Sequence, residues 1–295
     1  MRLGDDGSDN FIDRTGRGGL GFGGGGGGGM LGCLLPLVAS KFGIVGVLIL
    51  LLGYCALSSL GGGGGLLPGG GGPTTSAPSG QSTLSAEEER VLSGVLLSTE
   101  RVWGELFQRA GQAYRPPQMI AYSNTDQSGC GVAQAAMGPF YCPTDQRIYI
   151  DPVFFNELSR RFNAPGDFAQ GYVIAHEVGH HIQYLEGTLD RAQSAQARAS
   201  RTEGNQIQVG VELQADCYAG VWAANARDAQ GSILQAGDIE EGMRAAEAIG
   251  DDTLQRQAQG RVAPDSFTHG SSAQRMEALK RGLSTGNPES CNYAR

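Results

Sequence analysis

From residue 85 onward the apolar positions follow two different periods. Val91, Leu92, Val95, Leu96, Val102, Trp103, Leu106 and Phe107 recur at helical spacing, which places them on one stripe of an amphipathic helix. Ser85-Ala86-Glu87-Glu88 opens it as a capping box, and Pro116 and Pro117 follow its end near Gln112. Two short β-type runs come next, Met119–Tyr122 and Arg147–Ile150, separated by a loop containing Gly and Pro. Asp151 is placed to cap a helix to about Phe162, and a further helix is predicted from Asp167 to Glu186. Residues 188–205 are polar and read as helix plus exposed loop. Cys217, Tyr218, Ala219, Val221 and Trp222 give the next helix a buried side, and the last helix runs from near His269 to about Gly282. The pattern predicts a mostly helical α+β domain with a small β-sheet. Ile148–Ile150 is expected to be the edge strand that pairs with an extended substrate backbone.

Upstream the pattern changes. Residues 42–60 carry no charge, about the length that crosses a bilayer as a helix. Glycine runs at 23–29, 61–65 and 69–72 flank them; such tracts bury no core and act as tethers. A core helix would have nothing to pack on, and a signal peptide would start nearer the N-terminus. A single transmembrane helix is therefore expected. The predicted organisation is a cytoplasmic Gly-rich segment (1–41), the span (42–60), a Gly/Pro/Ser linker (61–84) and one domain (85–295). Arg2, Arg14, Arg17 and Lys41 precede the span, and no Lys or Arg follows it until Arg90. The positive-inside bias then puts the N-terminus in the cytoplasm and the domain outside the cell membrane.

Net charge is −8. The four basic residues before 85 balance Asp5, Asp6, Asp9 and Asp13, so the acidic excess belongs to the domain, which argues against a nucleic-acid partner. Four cysteines lie in the domain. Cys130 and Cys142 are close in sequence and are expected to pair, leaving Cys217 with Cys291. No C-x-x-C spacing favours a cysteine zinc site, so disulfides in an oxidising compartment fit better.

The chemistry is concentrated in Ala175–Gln183, AHEVGHHIQ. His176 and His180, four apart on a helix, share a face and can offer two imidazole nitrogens to one metal ion. Glu177 is offset from that pair and suits a general base acting on a water that the metal activates. Three of the chain's four histidines sit here, which disfavours coincidence. His181 points off the shared face and reads as structural or surface-lying. A hydrolytic zinc site keeps three protein ligands and one open position. Gln183 and Glu186 stand where one subclass has a glycine turn and a third histidine, so that subclass is disfavoured. Glu212 and Asp216, four apart on the later helix, supply the alternative: Glu212 as the third ligand, Asp216 as the group orienting a ligand histidine. His269 and Arg275 are candidates to donate to the oxyanion of a tetrahedral intermediate.

These stretches, with Ser8-Asp9-Asn10, Asp13-Arg14, Gly138–Pro143, Gly237–Glu241 and Pro264–Gly270 followed by Ser272-Ala273-Gln274-Arg275, resemble the bacterial neutral zinc metallopeptidase family, a group of membrane-anchored proteins, nearly end to end. The catalytic part is more remotely similar to gluzincins related to the CAAX prenyl proteases. That resemblance implies a zincin-like fold, Zn²⁺ as cofactor, Glu212 as third ligand, and His269 and Arg275 beside the catalytic centre. Gly270 stands where the gluzincin pattern has proline.

The expectation is a membrane-anchored zinc peptidase acting on peptide or protein substrates. The alternative is a binding or regulatory module on a peptidase scaffold, with a structural metal.

Overall fold

The computed structural model describes residues 1–17 and 81–294. The chain is mostly helical, with small sheets. Strand β1 (Phe11–Asp13) is followed by helix α1 (Ala86–Arg109), then β2 (Gln118–Ala121), β3 (Thr125–Ser128), β4 (Gly131–Gln134), β5 (Phe140–Cys142) and β6 (Arg147–Ile150). Helices α2 (Val153–Arg160), α3 (Asp167–Leu185), α4 (Thr188–Gln196) and α5 (Arg201–Asn225) come next. A two-residue ribbon, β7 (Arg227–Asp228) with β8 (Gly231–Ser232), separates them from α6 (Asp238–Ala248), α7 (Asp251–Gln259) and α8 (Ser272–Thr285).

Helix α1 begins where the capping box requires, with the Ser85 side chain on the Glu88 amide and Glu88 back on Ser85. Its apolar stripe packs on α3 and α5. Trp103 meets Tyr218 edge-on at 5.3 Å between ring centroids, and Phe168 stacks on Trp222 at 5.8 Å. The polar stretch 188–205 holds helix α4 and an exposed break, as expected, but the break is shorter than expected. A second capping box, Ser200 with Glu203, starts α5 at Arg201, so the helix that carries Glu212 is 25 residues long.

The main sheet has the order β1-β2-β6-β5. Strands β2 and β6 are parallel, Met119 opposite Ile148, and β5 is antiparallel to β6. This corrects the expected role of Ile148–Ile150. Both sides of β6 are taken by neighbours, so its backbone groups have no open side for a substrate; the edge nearest α3 is β5.

The expected separation of residues 1–41 from the domain is also corrected. Strand β1 pairs in parallel with β2, Phe11 opposite Met119, and Leu3 and Phe11 pack against the core. Ser8 Oγ and Asn10 Nδ2 donate to Glu100 at 2.6 and 2.9 Å. Residues 1–17 are therefore built into the same sheet and core as residues 81–294. Arg2 and Arg14, two of the basic residues in the positive-inside count, are ion-paired to Asp228 and Asp126, both at 3.1 Å. Among the described residues no helix is long and apolar enough to cross a membrane; the expected span at 42–60 lies outside them.

Among the described residues two disulfides form, Cys130–Cys142 and Cys217–Cys291. The second ties the C-terminal tail to the middle of α5.

Candidate metal centre

Helices α3 and α5 cross at Gly179, where a Cβ would stand 3.0 Å from the Ala215 Cα and carbonyl oxygen. A side chain there would crowd the α5 backbone, and glycine lets the two helices approach this closely. It brings one face of α3, with His176 and His180, against the face of α5 that carries Glu212 and Asp216. The start of α3 is held by α6, whose Glu241 Oε2 accepts the Phe168 amide at 3.2 Å.

His176 Nε2 lies 3.1 Å and His180 Nε2 3.6 Å from the same oxygen, Glu212 Oε2. All three residues offer ligand atoms within 4.8 Å of one another. The opposite ring nitrogens are engaged elsewhere: His176 Nδ1 is 2.7 Å from Asp216 Oδ1, and His180 Nδ1 is 2.9 Å from Gln183 Oε1. Both Nε2 atoms are thereby turned toward one point. Donors about 2.0–2.1 Å from a tetrahedral zinc stand about 3.3 Å apart, a value the two observed separations bracket. Two imidazoles and one carboxylate, with the outer nitrogens fixed by hydrogen-bond partners, form a donor set that zinc fits.

Burial opposes charge on His176, yet Asp216 and Glu212 outweigh it and hold its pKa above the ordinary value. His180 follows the same balance, with Glu212 raising it to about 9. Burial works against the Asp216 carboxylate, but Arg275 and His176 bring it down to about 2. Glu212 is likewise held well below the carboxylate range, against burial, by the histidines around it, His269 included. Glu177 moves the other way: burial pushes its pKa up more than the neighbouring histidines pull it down. An elevated carboxylate in this position can take and return a proton near neutral pH.

His181 is structural and buried, not surface-lying. Its Nε2 donates to the Arg115 carbonyl at 2.7 Å and its Nδ1 meets the Tyr141 hydroxyl at 3.0 Å. Arg275 lies behind His176. Its Nε and Nη2 each donate to Asp216 at 2.8 Å, and Nη1 to the Ile249 carbonyl at 3.2 Å. It thus stands one layer out from the centre and grips the carboxylate that orients His176. His269 is partly exposed at the rim, with Nδ1 3.1 Å from Thr268 Oγ1 and 3.6 Å from Asp251 Oδ1.

Several site residues were missed in the sequence. Tyr172 donates to Asp216 Oδ1 at 2.6 Å, and Gln208 Nε2 to Glu212 Oε1 at 2.9 Å. Each stands one helical turn before a residue already singled out, so the i, i+4 rule could have found them. Asp251 carried no such signal.

The chain is 48% identical over 206 residues to the uncharacterized protein YpfJ of Escherichia coli (strain K12), covering 70% of this chain and 71% of that protein. It is 42% identical over 204 residues to the uncharacterized protein Rv2575 of Mycobacterium tuberculosis (strain ATCC 25618 / H37Rv), covering 66% and 67%. No solved structure matches it. Residues 2–294 match the family described as "Putative neutral zinc metallopeptidase", and the chain belongs to this family.

Proposed function

We propose that the protein is a zinc-dependent peptidase with a zincin-like catalytic domain, cleaving peptide bonds in a peptide or protein substrate. The observation that carries the reading is the convergence of His176 Nε2, His180 Nε2 and Glu212 on one point beside the buried Glu177. These three residues would hold the zinc, which when bound would polarise a scissile carbonyl and acidify a water. Glu177 takes the water's proton and delivers it to the leaving amine. Asp216, gripped by Arg275 and Tyr172, keeps His176 in the tautomer that presents Nε2. His269, at the rim, donates to the developing oxyanion.

The domain works outside the cytoplasm, with residues 1–17 alongside it; the two disulfides support this. The acidic net charge supports a protein substrate over a nucleic acid.

The test of the metal is elemental analysis of the purified full chain beside Glu212→Ala. One zinc per chain, lost or loosened in the variant, is expected. No zinc in the folded unmutated chain after loading overturns the reading. Zinc without hydrolysis of any peptide leaves the module with a structural metal.

A further inference from the structure

His269 sits on a loop, Thr268–Gly270, that no regular hydrogen-bond ladder holds. Its geometry comes instead from Asp251, the first residue of α7, which is 2% exposed. Asp251 Oδ2 accepts the amides of Thr268 and His269 at 2.7 Å each and of Gly270 at 3.1 Å. The Asp251 amide in turn donates to the Gly270 carbonyl at 2.9 Å. The second carboxylate oxygen, Oδ1, faces His269 Nδ1 at 3.6 Å, and Thr268 Oγ1 lies 3.1 Å from the same nitrogen.

The loop is pressed against the turn of α5 that bears Glu212. A Cβ on Gly270 would stand 3.3 Å from both Val209 Cγ1 and Leu213 Cδ2. Gly270 has φ +91°, a conformation closed to proline and costly for any residue with a side chain. The glycine found where the gluzincin pattern has proline is therefore required by this form of the loop. The next acid, Asp252, accepts the Ser272 amide at 2.7 Å and its hydroxyl at 2.8 Å, at the start of the helix that carries Arg275. Neighbouring carboxylates on α7 thus fix the His269 loop and the Arg275 helix together.

We propose that Asp251 is a positioning residue for His269: it clamps the loop by three amides and directs Nδ1 away from the metal centre, leaving Nε2 as the nitrogen that meets substrate. A loop cap alone would need one acceptor oxygen. Here the second oxygen faces the imidazole at 3.6 Å, a charge contact rather than a hydrogen bond; it favours a proton on Nδ1, while Thr268 Oγ1 at 3.1 Å holds the ring by hydrogen bond. The proposal rests on the peptidase reading for the use of His269, but not for its orientation.

The test uses the zinc-loaded full chain, ¹⁵N-labelled at histidine, as Asp251→Asn and as Thr268→Val, the second keeping the amide clamp if the first does not fold. Zinc content, thermal midpoint, histidine ring spectra, and kcat and KM on fluorescently labelled casein are read together. Expected in Asp251→Asn are zinc retained, His176 and His180 signals in place, His269 ring signals shifted to a mixed tautomer, and kcat lowered at least tenfold with KM within about threefold. Thr268→Val is expected to shift the same His269 signals by less. His269 spectra unchanged in both folded variants would overturn the proposal and leave Asp251 a loop cap. If the unmutated chain does not cleave casein, the peptidase reading is what fails, and the ring spectra still decide the orientation.

Discussion

Asp216 Oδ1 lies 2.7 Å from His176 Nδ1, and this contact decides which nitrogen of His176 faces Glu212. The same carboxylate receives Tyr172 and both Arg275 donors and is fully buried. Removing it withdraws the orienting partner and leaves a buried guanidinium unpaired. Asp216→Ala is expected to weaken zinc binding by about 10–100-fold and to destabilise the fold by about 3–5 kcal/mol. Chelator competition and denaturant unfolding measure the two effects. Unchanged zinc affinity in a folded variant would remove Asp216 from the centre.

Zinc affinity should rise with pH. His180 holds its proton to about pH 9, and an entering cation must displace it. Below that pH each displaced proton changes the apparent affinity about tenfold per pH unit. Competition titrations at pH 6, 7 and 8 are expected to show this slope; a flat profile would mean that His180 does not give up a proton to the metal.

With a chelator present, stability should follow the same groups. The folded pKa of His180 is raised, so its contribution is complete below about 6.5 and lost as pH climbs through about 9, about 3 kcal/mol in all. Asp216 is depressed to about 2, so its contribution of about 2 kcal/mol is present above about 3.8 and lost as pH falls through about 2. Urea midpoints across pH 2–9 check both windows.

The Cys217–Cys291 bridge closes a sequence separation of 74, against 12 for Cys130–Cys142. Chain-entropy arguments give about 4 kcal/mol for the longer loop and about 3 for the shorter. Cys291→Ser is therefore expected to lower stability more than Cys130→Ser. It should also loosen zinc, because Cys217 sits one turn from Glu212 and Gln214 Nε2 donates to the Cys291 carbonyl at 2.9 Å.

Residues 1–17 and the domain should occupy one compartment. In a Cys33→Ser/Cys55→Ser background, cysteines introduced at Asp6 and at Glu105, both exposed, are expected to react together with a membrane-impermeant maleimide in intact cells. Labelling of one alone before lysis would contradict the β1–β2 pairing.

Much of the centre was legible because helical spacing is a strong local signal. His176 and His180 declare a shared face, and Glu212 and Asp216 repeat the device on a second helix. Apolar periodicity likewise gave α1 and α3 to within a few residues. What the sequence concealed was mostly long-range. Nothing local tells that β1 leaves the first segment to pair with β2 more than a hundred residues away, or that Arg2 and Arg14 answer acids in the domain. The order of strands, which made β6 internal, depends on pairings that period-2 alternation does not specify. Asp251 stands at the start of α7, eighteen residues before His269 on its loop, and only the fold joins them. The start of α5 at Ser200 was missed for another reason: its capping box was legible, but polar residues after it masked the helical period.

Glu177 as general base is tested most directly by the casein hydrolysis rate of Glu177→Gln relative to the unmutated chain at equal zinc content. Glutamine keeps the size of the side chain but cannot accept the proton from water. Retained zinc is expected, with a rate lowered by on the order of 10²–10⁴-fold, the span of a general base. An unchanged rate at full zinc occupancy would contradict that role.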